Sequence, residues 1–275
     1  MAQFELDRPI SDVVPHIFKR PILTVDQKDS LLQAGTFLAL GPQIYVDGLV
    51  VLDGRKIAGT MGGQHMLRHI LQNPRNWPAA EASEIMNRSP CTVDAGDALS
   101  KALDIFSRTR FAFVPVLIDS EVVTSICVRD VLRLVANVVG EARASSVASK
   151  LVSVKGDMSI GSALEIMIER GIRNLAVKDG QGEKVGRVRI LNDRKILEFL
   201  LSHEGRRLAG PDGSKDLFDV GVGSVDTSEA KLAESDLSVN AAASMLLDVS
   251  TPCVLLAGEL IVSPWDVVLK SVYGA

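Results

Sequence analysis

The segment LIVSPWDVVLKSV (260–272) runs from a short apolar stretch through Ser-Pro to an acid and then an amphipathic helix, and TSICVRDVLRLV (124–135) reads the same way. Two further stretches fall into register with them, GTMGGQHMLRHIL (59–71) and RILNDRKILEFL (189–200). The position that carries the acid is His65, Asp130, Lys195 and Asp266 in turn, at spacings of 65, 65 and 71 residues. Apolar residues follow it at i+1 and i+2 in every copy, one face of an amphipathic helix. A period of this length marks an internal repeat, which decides the fold before any local feature does.

Working outward, each copy opens in the same way. The openings are PILTVDQKDSLLQA (21–34), PCTVDAGDALSKA (90–102), LVSVKGDMSIGSA (151–163) and KLAESDLSVNAA (231–242). They pair Val25 with Ala34, Val93 with Ala102, Val154 with Ala163 and Leu232 with Ala241, nine residues apart each time. Between opening and closing helix stand GLVVLDGRKIAG (48–59), FAFVPVLIDSEVVTSI (111–126), NLAVKDGQGEKVGRVRIL (174–191) and CVLLAGELIV (253–262). These are β-branched and apolar runs broken by turn residues, so each predicts a strand hairpin. The plan is β-α-β-β-α four times over, an α/β (α+β) protein. NPRNWPAA (73–80) separates the first two copies, and the polar SHEGRRLAGPDGSKD (202–216) separates the last two.

Composition narrows the function. The 275 residues are 47% hydrophobic and 23% charged, ordinary for a chain that buries real cores. Only 4% are aromatic, so the interior is expected to be built from Val, Leu, Ile, Ala and Met, without base-stacking platforms. Thirty basic against 34 acidic side chains give a net charge of −4, which does not suit a nucleic-acid backbone or an anionic bilayer as partner. No apolar run reaches the roughly 18 residues of a membrane span. The start, MAQFELDRPISDVV, carries acids early, and a cytoplasmic location is the expectation. Cys91, Cys127 and Cys253 are odd in number and lack C-x-x-C spacing, as expected of small buried thiols in a reducing compartment. GPDGSK (210–215) is too short for a P-loop, no catalytic motif is found, and the repeats leave no room for a catalytic domain.

The fourfold register, clearest in LIVSPWDVVLK (260–270) and FVPVLIDSEVVTSICVRDVLRLV (113–135), resembles cystathionine-β-synthase (CBS) domains across nearly the whole chain. The resemblance implies repeats at 10–72, 82–140, 146–202 and 217–273. These would pair into two Bateman modules, 1–140 and 146–275, as in the gamma subunit of AMP-activated kinase and stand-alone archaeal relatives. It further implies a regulatory protein that binds an adenine nucleotide (AMP, ADP or ATP) and acts on a partner protein as its CBS pairs rearrange. The modules would form a disc, within one chain or as a homodimer. S-adenosylmethionine is the alternative ligand, and a ligand-free interaction scaffold the alternative role.

Within that frame the residues sort themselves. An Asp near a helix start can accept both hydroxyls of a ribose, and the helix dipole favours an anion beside it. Ser263 and Asp266 form the complete hydroxyl-and-acid pair, although Ser-Pro-Trp-Asp is equally a helix N-cap with Pro at N1. Asp130 repeats the acid, with Cys127 in place of the hydroxyl and Thr92 placed as the family's adenosine-contacting threonine. Gly62 with His65, and Asn192 with Lys195, depart from the pattern, though His65 or Lys195 could face a phosphate. Arg173 and Arg110 precede the second strands of their units, where gamma-subunit relatives place phosphate-contacting bases, and a guanidinium grips phosphate bidentately. The fourth copy offers Ser250 and Thr251 at that point and no charge, so a phosphate beside Asp266 would draw on Arg173. His65 and His69 stand at metal-pair spacing without a third ligand.

Overall fold

The computed structural model describes residues 6–40, 47–138, 140–178, 188–209, 216–257 and 259–273. The stretch GPDGSK and the Gly-Gln-Gly turn of the third hairpin lie outside the described residues. Unit 1 contains β1 (Thr24–Asp26), α1 (Leu31–Leu40), β2 (Leu49–Asp53), β3 (Lys56–Met61) and α2 (Gly63–Gln72). Unit 2 repeats the order with β4 (Val93–Asp94), α3 (Leu99–Thr109), β5 (Phe113–Ile118), β6 (Glu121–Cys127) and α4 (Val128–Ala136). A short β7 (Ser149–Lys150) leads to unit 3, with β8 (Ser153–Lys155), α5 (Ile160–Arg170), β9 (Asn174–Lys178), β10 (Arg189–Asn192) and α6 (Asp193–Leu201). After β11 (Ser228–Glu229), unit 4 has β12 (Lys231–Ala233), α7 (Val239–Leu246), β13 (Val254–Leu256), β14 (Leu260–Val262) and α8 (Asp266–Tyr273), the last wound as a π-helix.

In every unit the opening strand pairs in parallel with the first hairpin strand, which pairs antiparallel with the second. The turn residues explain the hairpins. Gly54 has φ +61, and Asp119 and Ser120 have φ +51 and +66, the mirror-image turn that matches the twist of the flanking strands.

One register differs from the sequence expectation. The fourth opening helix starts at Val239 after the Ser238 cap, so the buried alanine equivalent to Ala34, Ala102 and Ala163 is Ala242, while Ala241 is half-buried. Leu232 is 44% exposed, because neighbouring strand positions face opposite sides and Ala233 is the one packed on the core. The interior also holds aromatics that the composition argued against: Trp77, Phe106 and Phe113 are fully or almost fully buried. Of the thiols, Cys127 and Cys253 are buried and Cys91 half-buried.

Packing orders the units into a ring. The sheets of units 1 and 2 meet around Val50, Phe113 and Cys127, and those of units 3 and 4 around Ala176, Ile190, Leu255 and Ile261. Units 1 and 2 thus form one sheet-to-sheet pair, or module, and units 3 and 4 the other. Their helices close the ring the other way. One core joins units 1 and 3, through Leu31, Met66 and Ile70 with Leu164, Leu197 and Leu200; a second joins units 2 and 4, through Leu103, Leu132 and Val135 with Leu246, Val267 and Val268. Gly63 permits the close approach in the first, since a Cβ there would lie 3.0 Å from a carboxylate oxygen of Asp193.

The segment leading into each unit covers its module partner. Ile10, Val14 and Ile17 belong to the core of unit 2, and the Thr124 hydroxyl donates to the Ile17 carbonyl at 2.7 Å. Ala82 and Asn87 bond back to Asp29 and Thr60 of unit 1. In the second module, β7 adds to the sheet of unit 4 and β11 to the sheet of unit 3.

Candidate functional site

The closing helices of units 1 to 3 have Gly62, Cys127 and Asn192 as N-caps and His65, Asp130 and Lys195 at N3; in unit 4 a helical pair at 264–265 leads into α8, so that Ser263 and Asp266 take the same two places. The four anchors of the repeat are therefore equivalent in space. In three units the N3 side chain reaches back to the cap backbone: His65 Nδ1 accepts from the Gly62 N–H at 3.1 Å, Asp130 from Cys127 at 2.7 Å and Asp266 from Ser263 at 2.9 Å. In unit 3 the direction reverses, with Asn192 Oδ1 accepting from the Lys195 N–H at 2.9 Å. This is N-capping chemistry, and it satisfies helix-end amides that would otherwise be orphaned.

The units enclose a cavity of about 1330 Å³. Its lining brings together Ser263, Asp266, Arg173, Arg110 and Lys195, and adds Ser250 and Thr251. Ten lysines and arginines line it against five carboxylates, inside a chain whose net charge is −4. The cations are thus concentrated where the units meet.

Asp266 is 6% exposed and fully engaged. Oδ2 accepts from the Ser263 N–H and from its hydroxyl at 2.6 Å, and Oδ1 accepts from the Ser149 hydroxyl and from Lys270 Nζ, both at 2.7 Å. Lys270 also donates to the Val147 carbonyl at 2.9 Å, which ties the anchor of unit 4 to the lead-in of unit 3. Burial first, and then the charge of Asp266, push the nearby Cys253 thiol up to about 12.

Asp130 is placed differently from the expectation. It does not line the cavity. Arg20, from the lead-in of unit 1, donates to both its oxygens at 2.7 Å, and His16 lies 3.4 Å away. The guanidinium fills the bidentate seat that two ribose hydroxyls would need, so this anchor is a structural ion pair. Thr92 is half-buried ahead of β4 and also lies off the cavity, while its neighbour Cys91 lines it.

The remaining cations have contacts the sequence did not show. Arg173 Nε donates to Asp193 at 2.8 Å, and its Nη1 lies 3.2 Å from Asp47, which also accepts from Arg194 at 2.5 Å. Burial by itself would raise the Asp47 carboxyl, but the charges of Arg194 and Arg173 outweigh it and hold the group below the ordinary carboxylate range. Arg129 donates to the Leu246, Asp248 and Thr251 carbonyls across the contact between units 2 and 4. Arg110 sits 5.8 Å from the ring centroid of Trp265, the residue before Asp266, and Lys195 pairs with Glu198 at 2.6 Å. His65 meets Phe111 edge-on at 5.5 Å, and burial, then the charge of Arg68, lower its pKa. Among the described residues no group of three or more His, Cys, Asp or Glu is placed to hold a metal ion, and no helix is long and apolar enough to cross a membrane.

Sequence reasoning missed Asp47, Arg194, Arg129 and Arg20. Their partners are 105 to 147 residues away, and only the order of units around the ring brings them together. Asp193 carried a signal, since an acid at N1 directly after an Asn cap stands at the positive end of a helix.

Four β-α-β-β-α units meeting at one chamber define a tandem-repeat protein whose binding surface is shared between repeats. Two segments of the chain, residues 82–137 and 144–201, match the family described as the CBS domain. Its fold is similar to that of a Methanocaldococcus jannaschii protein described as a candidate archaeal homologue of γ-AMPK, with a TM-score of 0.76 and 16% identity over 93% of this chain and 97% of that one. An uncharacterised conserved protein from Pyrococcus horikoshii matches with a TM-score of 0.54 and 15% identity over 90% and 94%. No curated protein matches the sequence. The family supports a regulatory, ligand-binding role.

Proposed function

We propose that this chain is a regulatory sensor of an adenine nucleotide, AMP, ADP or ATP, held in the central cavity and read out by a partner protein. The observation that carries the proposal is the charge of the lining, ten cations to five carboxylates around a space large enough for a nucleotide. Such a chamber favours phosphates. It disfavours S-adenosylmethionine, whose sulfonium and ammonium groups bring positive charge into a positive site. Ser263 and Asp266 would hold the ribose hydroxyls once Lys270 and Ser149 give way, and Arg110, Arg173 and Lys195, which also line the cavity, would meet the phosphates. No part of this requires a catalytic group. Because the cavity is bounded by all four units, a ligand that binds one arrangement of the ring better than another shifts the balance between them, and that shift is the signal.

The internal partners of Asp266 and Asp130 support a second reading, a scaffold whose seats are filled by its own side chains. A thermal-shift series with AMP, ADP, ATP and S-adenosylmethionine separates the two. A ligand at 100 times its Kd stabilises the folded chain by about 2.7 kcal/mol, several degrees in Tm. The sensor reading expects that shift with a nucleotide and its loss in Asp266→Asn, which keeps an acceptor for the Ser263 amide. No shift with any of the four ligands favours the scaffold.

A further inference from the structure

We infer that Arg173 and Arg194 form an oxyanion seat now occupied by the protein's own Asp47, and that a phosphoryl group of the ligand enters by displacing it. This rests on the nucleotide reading for the identity of the ligand, although the seat itself is specified by geometry. Both guanidiniums belong to unit 3, Arg173 ahead of β9 and Arg194 at the second position of α6, whereas Asp47 comes from unit 1, just before β2. The same carboxylate oxygen receives Arg194 at 2.5 Å and Arg173 at 3.2 Å. Asp193 takes the Nε edge of Arg173 at 2.8 Å and fixes the plane of that guanidinium. All four residues line the cavity, and Asp47 is 15% exposed.

Two arginines converging on one oxygen is the arrangement that binds phosphate. A carboxylate brings a single charge and two coplanar oxygens, while a terminal phosphoryl brings up to two charges and three oxygens, so it offers the same donors a stronger partner. Exchange has a mechanical result. Asp47 lies two residues before the start of β2, whose Val50 is buried where the sheets of units 1 and 2 meet. Expelling its carboxylate from unit 3 breaks a tie between the modules and frees the chain at the start of that strand, which couples occupancy of the seat to the fit between units.

The test uses the full chain and three probes, inorganic pyrophosphate, AMP and ATP, titrated calorimetrically into wild type, Asp47→Asn and Arg194→Gln. Removing the resident charge should tighten pyrophosphate binding by roughly tenfold or more, the scale of one lost charge-assisted competitor. Arg194→Gln should weaken binding by a similar factor. In the absence of ligand, Asp47→Asn should melt at a lower temperature. Unchanged or weaker pyrophosphate binding by folded Asp47→Asn overturns the inference; if that variant fails to fold, Asp47→Ser is held to the same criterion. Tighter pyrophosphate binding with no preference for AMP or ATP upholds the seat and removes the adenine reading, whereas nucleotide binding that ignores Asp47→Asn does the reverse.

Discussion

Ion pairs that cross between units carry the clearest consequences at the scale of single residues. Arg20 and Asp130 are 12% and 2% exposed, and removing one partner of a buried pair leaves the other charge unsolvated. Arg20→Met should therefore destabilise by about 3–5 kcal/mol in denaturant titrations, while leaving ligand affinity unchanged because Asp130 lies off the cavity. Asp47 predicts a pH signature. Its folded pKa lies below the unfolded value near 4, so its stabilisation is fully present above about pH 4 and is lost as pH falls through the folded value. The stability gap between wild type and Asp47→Asn should accordingly shrink on acidification below pH 4. Five residues singled out from the sequence line the cavity: Ser263, Asp266 and Lys195, named because helix starts recur at fixed offsets, and Arg173 and Arg110, named through the family resemblance. Asp47, Arg194 and Arg129 were not legible there, since no local pattern says which units share a face.

At the scale of elements, the two helices preceding the second strands of units 2 and 3 end differently. Helix α5 ends at Gly171 with φ +61, which suits a residue without a Cβ, and α3 ends at Arg110 with φ +56, where a side chain is strained. A Cβ at residue 171 would meet nothing within 4 Å, so Gly171→Ala isolates the backbone effect and should cost about 1 kcal/mol in urea unfolding. A neutral result would mean that the helix end relaxes. The β-α-β-β-α order was legible because hydrophobic period and turn residues agree over most of the repeats, whereas the two-residue strands β7 and β11 left no pattern to read. The one-residue error at Leu232 arose where period and turn residues do not agree: the fourth opening has Leu-Ala where the others have a single valine, and apolar character by itself cannot tell which side of a strand faces the core.

For the whole molecule, the two helix-lined cores bind the first module to the second, so neither half buries its own helices. A fragment comprising residues 1–140 would expose Leu31, Met66, Ile70, Leu103, Leu132 and Val135. It should self-associate, and light scattering should find a dimer or larger species; a stable monomer would show that the cores are divisible. In the intact chain the ring is closed by one polypeptide, so dimerisation is not what completes it. The exchange of lead-in segments reaches further, into how such a gene can grow. Each unit is roofed by chain that precedes its module partner, so duplicating one copy would create a unit without a roof and a roof without a unit. A module is the smallest length of DNA whose duplication leaves every unit roofed, and a chain built this way lengthens by twos.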